Sequence, residues 1–326
     1  MAQRAAKAPQ VVGLLLVPDF ALMSYASVVE PLRAANLISG TELYRWVHIS
    51  TQHPAVNASS GALVPCPAKV GYAGRLDLLL VCAGGDPAAF DDSATFAWLR
   101  RLARRGVRIG GVSGGPFILA KAGIMNGIQM TIHWQHAQAV REAHPDVLLT
   151  RSLFIIDRNR LTCAGGTAPL DMMHALIAER HGADLARKVS DWFLHTEIRP
   201  PQGAQRASLV ERYGVNDAQL IAALELMERH PGEPLRRGDI ARRIGISTRQ
   251  LDRLFATKLR LSCLGHYRRI RLERSRELLR HSTATITEIA LACGFSSASH
   301  FTRTYREAYR TTPSADRAQG ERRQRA

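Results

Sequence analysis

The chain has 326 residues, 46% hydrophobic and 22% charged, an ordinary globular composition. At roughly 100–200 residues per domain, that length fits two or three domains. Lys and Arg number 44 against 28 Asp and Glu, a formal net charge of +16. The excess is uneven: residues 1–195 carry 19 basic and 14 acidic side chains, whereas residues 196–326 carry 25 and 14. A polyanion-binding module is therefore expected in the C-terminal two-fifths. No apolar run reaches the roughly 18–20 residues of a membrane span. The opening MAQRAAKAPQ lacks the apolar core of a secretion signal, so a cytoplasmic protein is expected. Cys66, Cys82, Cys163, Cys263 and Cys293 are scattered and form no CxxC pair. They read as reduced thiols, with neither a disulfide framework nor a metal site.

In chain order, Val11–Val17 is a continuous apolar run of the kind expected for a strand buried on both faces. Ser24 to Asn36 is a helical stretch made irregular by Pro31. Trp46–Ile49 and Leu76–Cys82 follow as strands. Ser93–Arg105 is a helix with Phe96, Leu99 and Leu102 on one face. Arg100, Arg101, Arg104 and Arg105 lie mostly on the other, and a solvated face explains them better than a nucleic-acid patch. Val107–Val112 is a strand turning through Ser113-Gly114-Gly115 into a helix up to Lys121. Phe154–Ile156 and Leu161–Cys163 form a strand pair, followed by helices Thr167–His181 and Ala183–Phe193. This alternation predicts an α/β domain over residues 10–195, a mostly parallel sheet covered by helices.

Ligands in such sheets sit beyond the carboxyl ends of the strands. Four loops leave strands there: Pro18-Asp19-Phe20, Ala83-Gly84-Gly85-Asp86, Ser113-Gly114-Gly115 and Ala164-Gly165-Gly166-Thr167. Three contain a Gly pair, which permits close backbone approach, so a pocket is expected. His133 and His136 lack a third metal ligand nearby, and Trp134 between them reads as a lid over pocket or core. No metal and no cofactor are expected.

Gly111-Val112-Ser113-Gly114-Gly115 fits the nucleophile elbow G-x-S-x-G in its strand-turn-helix context. A serine-dependent esterase or amidase is thus the competing reading, with Asp157 or Asp171 and His174 or His195 as partners. The order of elements resembles the PfpI-like, class I glutamine-amidotransferase-like superfamily. That resemblance implies a cysteine at the elbow and an acid after the first strand. Here the elbow holds Ser113, and Ser24 falls where the acid would be. Loss of both implies a binding pocket that keeps an enzyme's shape, not an enzyme. A redox-sensing role would likewise want a low-pKa thiol at position 113.

The last hundred residues contain a degenerate repeat. Ile240-Ala241-Arg242-Arg243-Ile244-Gly245-Ile246-Ser247 matches Ile289-Ala290-Leu291-Ala292-Cys293-Gly294-Phe295-Ser296, offset by 49 residues. Leu251, Arg253 and Phe255 then match Phe301, Arg303 and Tyr305, offset by 50. Each copy is a short helix, a Gly turn and a Ser that caps a second helix, the helix-turn-helix pattern. The joining stretch from Leu264 to Arg280 reads as one helix. The layout resembles the AraC/XylS family over about residues 217–314, through Tyr267 to Arg271-Leu272, Ile286-Thr287-Glu288-Ile289-Ala290 and Thr312-Pro313-Ser314. The family places Gly after each recognition helix, whereas this chain has Arg260 and Arg310. The whole is similar to the GlxA-type branch of AraC regulators.

That resemblance implies a DNA-binding transcription factor, an activator, working as a homodimer through its N-terminal domain and engaging RNA polymerase. Recognition helices are expected at about 247–258 and 297–309. Thr248, Arg249, Asp252 and Arg253 face double-stranded DNA in the first, and Ser297, Ala298, Ser299, His300 and Arg303 in the second. Arg253 and Arg303 either contact DNA or brace their helices. The expected effector is a small amine-bearing metabolite such as glycine betaine, carnitine or arginine. Asp19, Phe20, Gly84, Gly85, Ser113, Gly114, His133 and Trp134 are its candidate contacts, with Trp46 a further aromatic face. Residues 1–9 are expected to be disordered, 196–216 a linker around Pro200-Pro201-Gln202-Gly203, and 315–326 a basic disordered tail.

Overall fold

The computed structural model describes residues 8–282 and 284–325, with His281 and 320–325 described in backbone alone. Residues 1–7 of the expected disordered N-terminus, and Ala326, lie outside the described residues. The chain divides into two compact units, Met1–Gln205 and Arg206–Ala326.

The first unit opens with β1 (Gln10–Leu16), α1 (Leu22–Ser39), β2 (Tyr44–Ser50), β3 (Ala55–Asn57), β4 (Leu63–Pro65) and β5 (Ala68–Lys69). It continues with β6 (Leu78–Ala83), α2 (Ser93–Arg104), β7 (Arg108–Ser113), α3 (Gly115–Lys121), β8 (Gln129–Met130), α4 (Ala137–Ala143) and β9 (Leu148–Leu149). β10 (Phe154–Asp157), β11 (Arg160–Cys163), α5 (Ala168–His181) and α6 (Ala183–Trp192) complete it. The main sheet runs β10-β11-β7-β6-β1-β2-β5, parallel except where β10 meets β11. Its central strands read as apolar runs because both faces are covered. Val12, Leu14 and Leu16 of β1 pack toward α1, α5 and α6, while Leu15 packs toward α2, α3 and α4. Pro31 is buried inside α1 without ending it. Arg100, Arg101, Arg104 and Arg105 are exposed, the solvated face that the spacing predicts.

The first half of the stretch expected as a linker over 196–216 is fastened to the first unit. Asp171, 1% exposed, accepts from the His195 ring, from the Arg199 backbone and from two nitrogens of the Arg199 guanidinium. Gln205 donates to the Thr131 hydroxyl and the Ile132 and Ser152 carbonyls of the first unit. A few residues on, Ser208 and Glu211 form a capping box on α7 (Leu209–Tyr213), which belongs to the second unit. Buried charge and backbone pairing hold most of this stretch, in spite of its prolines.

The second unit continues with α8 (Ala218–Arg229), α9 (Arg237–Arg243), α10 (Thr248–Leu254), α11 (Cys263–His281), α12 (Ile286–Ala292), α13 (Ala298–Tyr309) and α14 (Pro313–Arg325). Two cores form, and the sequence repeat maps onto them position by position. Ile240, Ala241, Leu251 and Phe255 are buried in the first, and Ile289, Ala290, Phe301 and Tyr305 in the second. The tail expected to be disordered from 315 is helix α14. Asp316, 2% exposed, accepts from Tyr305 Oη, Arg276 Nε and Arg280 Nη2, and so ties α14 to α13 and α11. Burial alone would raise its carboxyl, but these three donors outweigh that and hold it below the usual range.

His266 of α11 lies in the first of these cores at 0% exposure, its ring against Tyr213 and Phe255. Among the described residues neither ring nitrogen has a hydrogen-bond partner. Burial, aided by the charge of Arg269, pushes the imidazole down to about 4. The unfolded chain therefore binds a proton that the folded unit refuses between pH 6.5 and 4. Stability is fully present above pH 6.5 and falls as the pH drops toward 4, by up to about 3 kcal/mol. Urea unfolding of the full chain across this window should show the loss, and His266→Phe should flatten it. An unchanged slope in the variant would assign the loss to other groups.

Candidate functional site

Two candidate surfaces exist, one on each unit. On the first, the strand-to-helix turn after β7 puts Ser113 at φ 59°, the left-handed backbone of a nucleophile elbow. Its glycines are required by neighbours. A Cβ on Gly115 would stand 2.1 Å from the Val81 oxygen, and one on Gly111 would stand 2.6 Å from the Gly115 carbonyl carbon. A Cβ on Gly165 would meet Ser113 Cβ at 2.8 Å and Ser24 Oγ at 3.0 Å. Ser24 therefore stands beside the elbow, where its hydroxyl accepts from Gly166 N at 2.9 Å. A carboxylate there would have faced the nucleophile, and a hydroxyl caps a loop instead.

The other predicted loops converge on the same edge. Gly84 packs on the Asp19 carbonyl, and a Cβ there would come within 2.5 Å of it. Exposed Asp19 has φ 61°, and its Cβ would lie 3.6 Å from one on Gly85. His133 N donates to the Ser113 carbonyl at 3.4 Å, bringing His133 and Trp134 alongside, their rings 5.4 Å apart. Three expected contacts fall elsewhere. Phe20 is 0% exposed and packs edge-on against Tyr25 in the core, because the chain turns inward after Asp19. Trp46 lies mid-strand in β2, against that same core. The Gly114 amide donates to the Ala83 carbonyl and offers nothing to a carboxylate. Gly84 and Gly85 amides make no such bond among the described residues. A separate cleft of about 250 Å³ opens at the opposite, amino edge of the sheet, between Gln10, Tyr44, Arg108 and Arg180.

The two histidines expected as hydrolase partners are engaged elsewhere: His174 bonds Ser190, and His195 bonds Asp171. Burial pushes the thiols of Cys82 and Cys163 up to about 12, and those of Cys66 and Cys263 up to about 11. Among the described residues no group of His, Cys, Asp and Glu is arranged to hold a metal, and no helix is long and apolar enough to cross a membrane.

On the second unit, α9–α10 and α12–α13 are paired helices joined at Gly245 and Gly294, with φ 75° and 71°. Ser247 and Gln250 form a capping box on α10, and Ser297 accepts from His300 N to cap α13. Thr248, Arg249 and Arg253 are exposed on α10, as are Ser299, His300 and Arg303 on α13. Asp252 is paired with Arg237 at 2.8 Å, so its carboxylate already has a partner. Ala298 is half-buried, and the His300 ring leans on Phe295. The expected span 247–258 is resolved into α10 and a π-helical extension, Phe255–Leu259. Arg306 and Arg310, unremarked in the sequence, extend the exposed basic face of α13. On α11, Arg268 and Arg269 are exposed, whereas three other arginines have partners within the unit: Arg271 holds two carbonyls, and Arg276 and Arg280 hold Asp316.

Arg260 and Arg310 close the two recognition helices at φ 54° and 57°, where glycine is preferred. A left-handed non-glycine residue costs roughly 1–2 kcal/mol, part of which glycine returns in unfolded-state entropy. Arg310→Gly should therefore stabilise the second unit by up to about 1 kcal/mol, read as a higher thermal midpoint. A lower midpoint would show that the arginine's charge at the helix end outweighs the backbone strain.

Comparison with known proteins gives a family for each unit. Residues 12–179 match the DJ-1/PfpI family, and residues 240–319 match a helix-turn-helix domain family. The chain is 48% identical over 305 residues to the HTH-type transcriptional regulator GlxA of Rhizobium meliloti, covering 93% of this chain and 94% of that one. It is 41% identical over 304 residues to the HTH-type transcriptional regulator CdhR of Pseudomonas aeruginosa, covering 93% and 90%. The crystal structure of an AraC family transcriptional regulator from Pseudomonas putida shares the fold at TM-score 0.52 and 24% identity, covering 57% of this chain and 100% of that one. With a DJ-1/PfpI domain followed by an AraC-type pair of helix-turn-helix units, the chain belongs to the GlxA-type HTH transcriptional regulators.

Proposed function

We propose that this regulator is a cytoplasmic activator. It binds double-stranded DNA through α10 and α13, dimerises through its first unit, engages RNA polymerase and takes its signal from a small amine-bearing metabolite. The observation that carries the DNA contacts is the pair of N-capped helices with exposed polar and basic residues in their first two turns: Thr248, Arg249 and Arg253 on α10, and Ser299, His300 and Arg303 on α13. Helices presented this way enter successive major grooves about one helical turn apart. Arg249 is exposed in the first turn of α10, where its fork suits guanine O6 and N7. Arg253 and Arg303, one turn further along, are exposed and make no ion pair among the described residues, which favours DNA contact over bracing.

The effector reading rests on the carboxyl edge of the sheet. Gly84 and Gly85 amides can receive a carboxylate, Asp19 a cation, and Trp134 with His133 an aromatic face. A zwitterion such as glycine betaine, carnitine or arginine satisfies all three. Catalysis is not part of the proposal. Ser113 has the elbow backbone, but Ser24 stands where an acid is needed, and His174 and His195 are bonded elsewhere.

Arg249→Ala should cost about 1–3 kcal/mol on a site selected from random DNA and much less on unselected DNA, measured by fluorescence anisotropy at fixed salt. Equal losses on both would reduce Arg249 to a phosphate contact. For the effector, calorimetry with the three zwitterions should show binding that Asp19→Ala and Trp134→Ala weaken about tenfold or more. Binding indifferent to both substitutions would move the site off this edge. Ester or amide turnover that Ser113→Ala abolishes would restore the hydrolase reading.

A further inference from the structure

Charge on α11 looks in the sequence like part of a DNA-facing excess. Arg271 instead turns inward. Its Nε donates to the Cys293 carbonyl at 2.7 Å, and its Nη2 donates to the Gly294 carbonyl. Its guanidinium lies 4.3 Å from the centre of the Phe295 ring. Cys293 and Gly294 end α12 and form the turn into α13. Carbonyls at a helix end have no partner within the helix, and a planar fork can satisfy two of them at once.

The contacts continue to the recognition helix. Phe295 packs on Phe301 at 5.0 Å and on the His300 ring at 5.8 Å, and Phe301 packs on Tyr305 at 5.4 Å. One guanidinium thus holds both the turn backbone and the ring on which the first turn of α13 rests. The turn is enclosed from its other side, where a Cβ on Gly294 would stand 2.6 Å from Pro234 Cδ and 2.7 Å from the Gly232 carbonyl. The first helix-turn-helix unit has no counterpart. A Cβ on Gly245 would meet nothing within 4 Å, the next residue is Ile246, and among the described residues no side chain donates to the Ile244 or Gly245 carbonyl.

We propose that Arg271 is a positioning residue for sequence reading by α13: it touches the turn, not the DNA, and sets where Ser297 to Arg303 stand. The proposal rests on the DNA-binding reading above. Two variants of the full chain test it. Arg271→Lys keeps the charge and loses the fork, and Phe295→Leu keeps the fork and loses the ring. With a site selected by the wild-type chain, both should lower discrimination by about tenfold at base pairs in the half protected by α13. Footprints over the half read by α10 should persist. The slope of log affinity against log salt should stay unchanged, since no phosphate contact is removed. A slope reduced by about one, with equal loss on every sequence, would make Arg271 a phosphate contact and overturn the proposal. Discrimination unaltered in both variants would also overturn it. Failure of the wild-type chain to select any site would fall on the DNA-binding reading instead.

Discussion

Helix α11 belongs to two hydrophobic cores at once, and the second unit depends on that sharing. Cys263, Tyr267 and Ile270 are buried in one core, and Leu272 and Leu279 in the other. A helix of 19 residues is about 28 Å long, enough to serve two separate helix pairs. Its polar side chains continue the connection. Tyr267 Oη donates to the His230 carbonyl and accepts from Leu235 N, fixing the loop before α9. Arg276 and Arg280 hold Asp316, and Arg276 also lies over the Tyr309 ring at 4.5 Å. The two recognition helices are thus anchored to one rod. The basic residues that remain exposed on α10 and α13 are those with no internal duty, which is the condition for a usable DNA face.

In the first unit the governing constraint is close backbone approach. Gly111 and Gly115 let the elbow fold tightly against itself and β6, Gly165 lets a second loop approach Ser113, and Gly84 lets a third reach Asp19. The elbow backbone thus carries a hydroxyl at Ser113, with a second hydroxyl, Ser24, beside it. Ser24 shows the consequence: in place of a charge facing the elbow, it satisfies the Gly166 amide. Such a site is preorganised for polar ligands, and no carboxylate stands at position 24 to face Ser113.

The sequence carried the parts of the fold that local pattern determines. Apolar runs located the central strands, and the 49-residue repeat located both helix-turn-helix units through their left-handed Gly; of its two serines Ser247 caps α10, whereas α13 is capped one residue beyond Ser296, by Ser297. What it hid depends on distant partners. Residues 315–325 are polar and basic, and distant contacts hold the helix there: Asp316 with Tyr305, Arg276 and Arg280, and Arg317 with the Leu279 and Ala284 carbonyls. The stretch around Pro200 and Pro201 looked like a tether because Asp171, on α5, gave no sign of holding Arg199. Phe20 looked available beside Asp19 until the inward turn of the chain buried it. Arg271 was legible as a family motif position but not as a clamp, since its partners are main-chain carbonyls 22 and 23 residues away.

The proposed effector control makes occupancy of the first unit and occupancy of DNA one linked equilibrium. Linkage is reciprocal, so the factor by which ligand changes DNA affinity must equal the factor by which DNA changes ligand affinity. The direct measurement is a closed cycle on the full chain, with a selected DNA site and each of glycine betaine, carnitine and arginine, titrated in both orders. A coupling of about 1–3 kcal/mol, equal from both directions, is the predicted result for one of them. Ligand binding that leaves DNA affinity unchanged, and DNA binding that leaves ligand affinity unchanged, would contradict it.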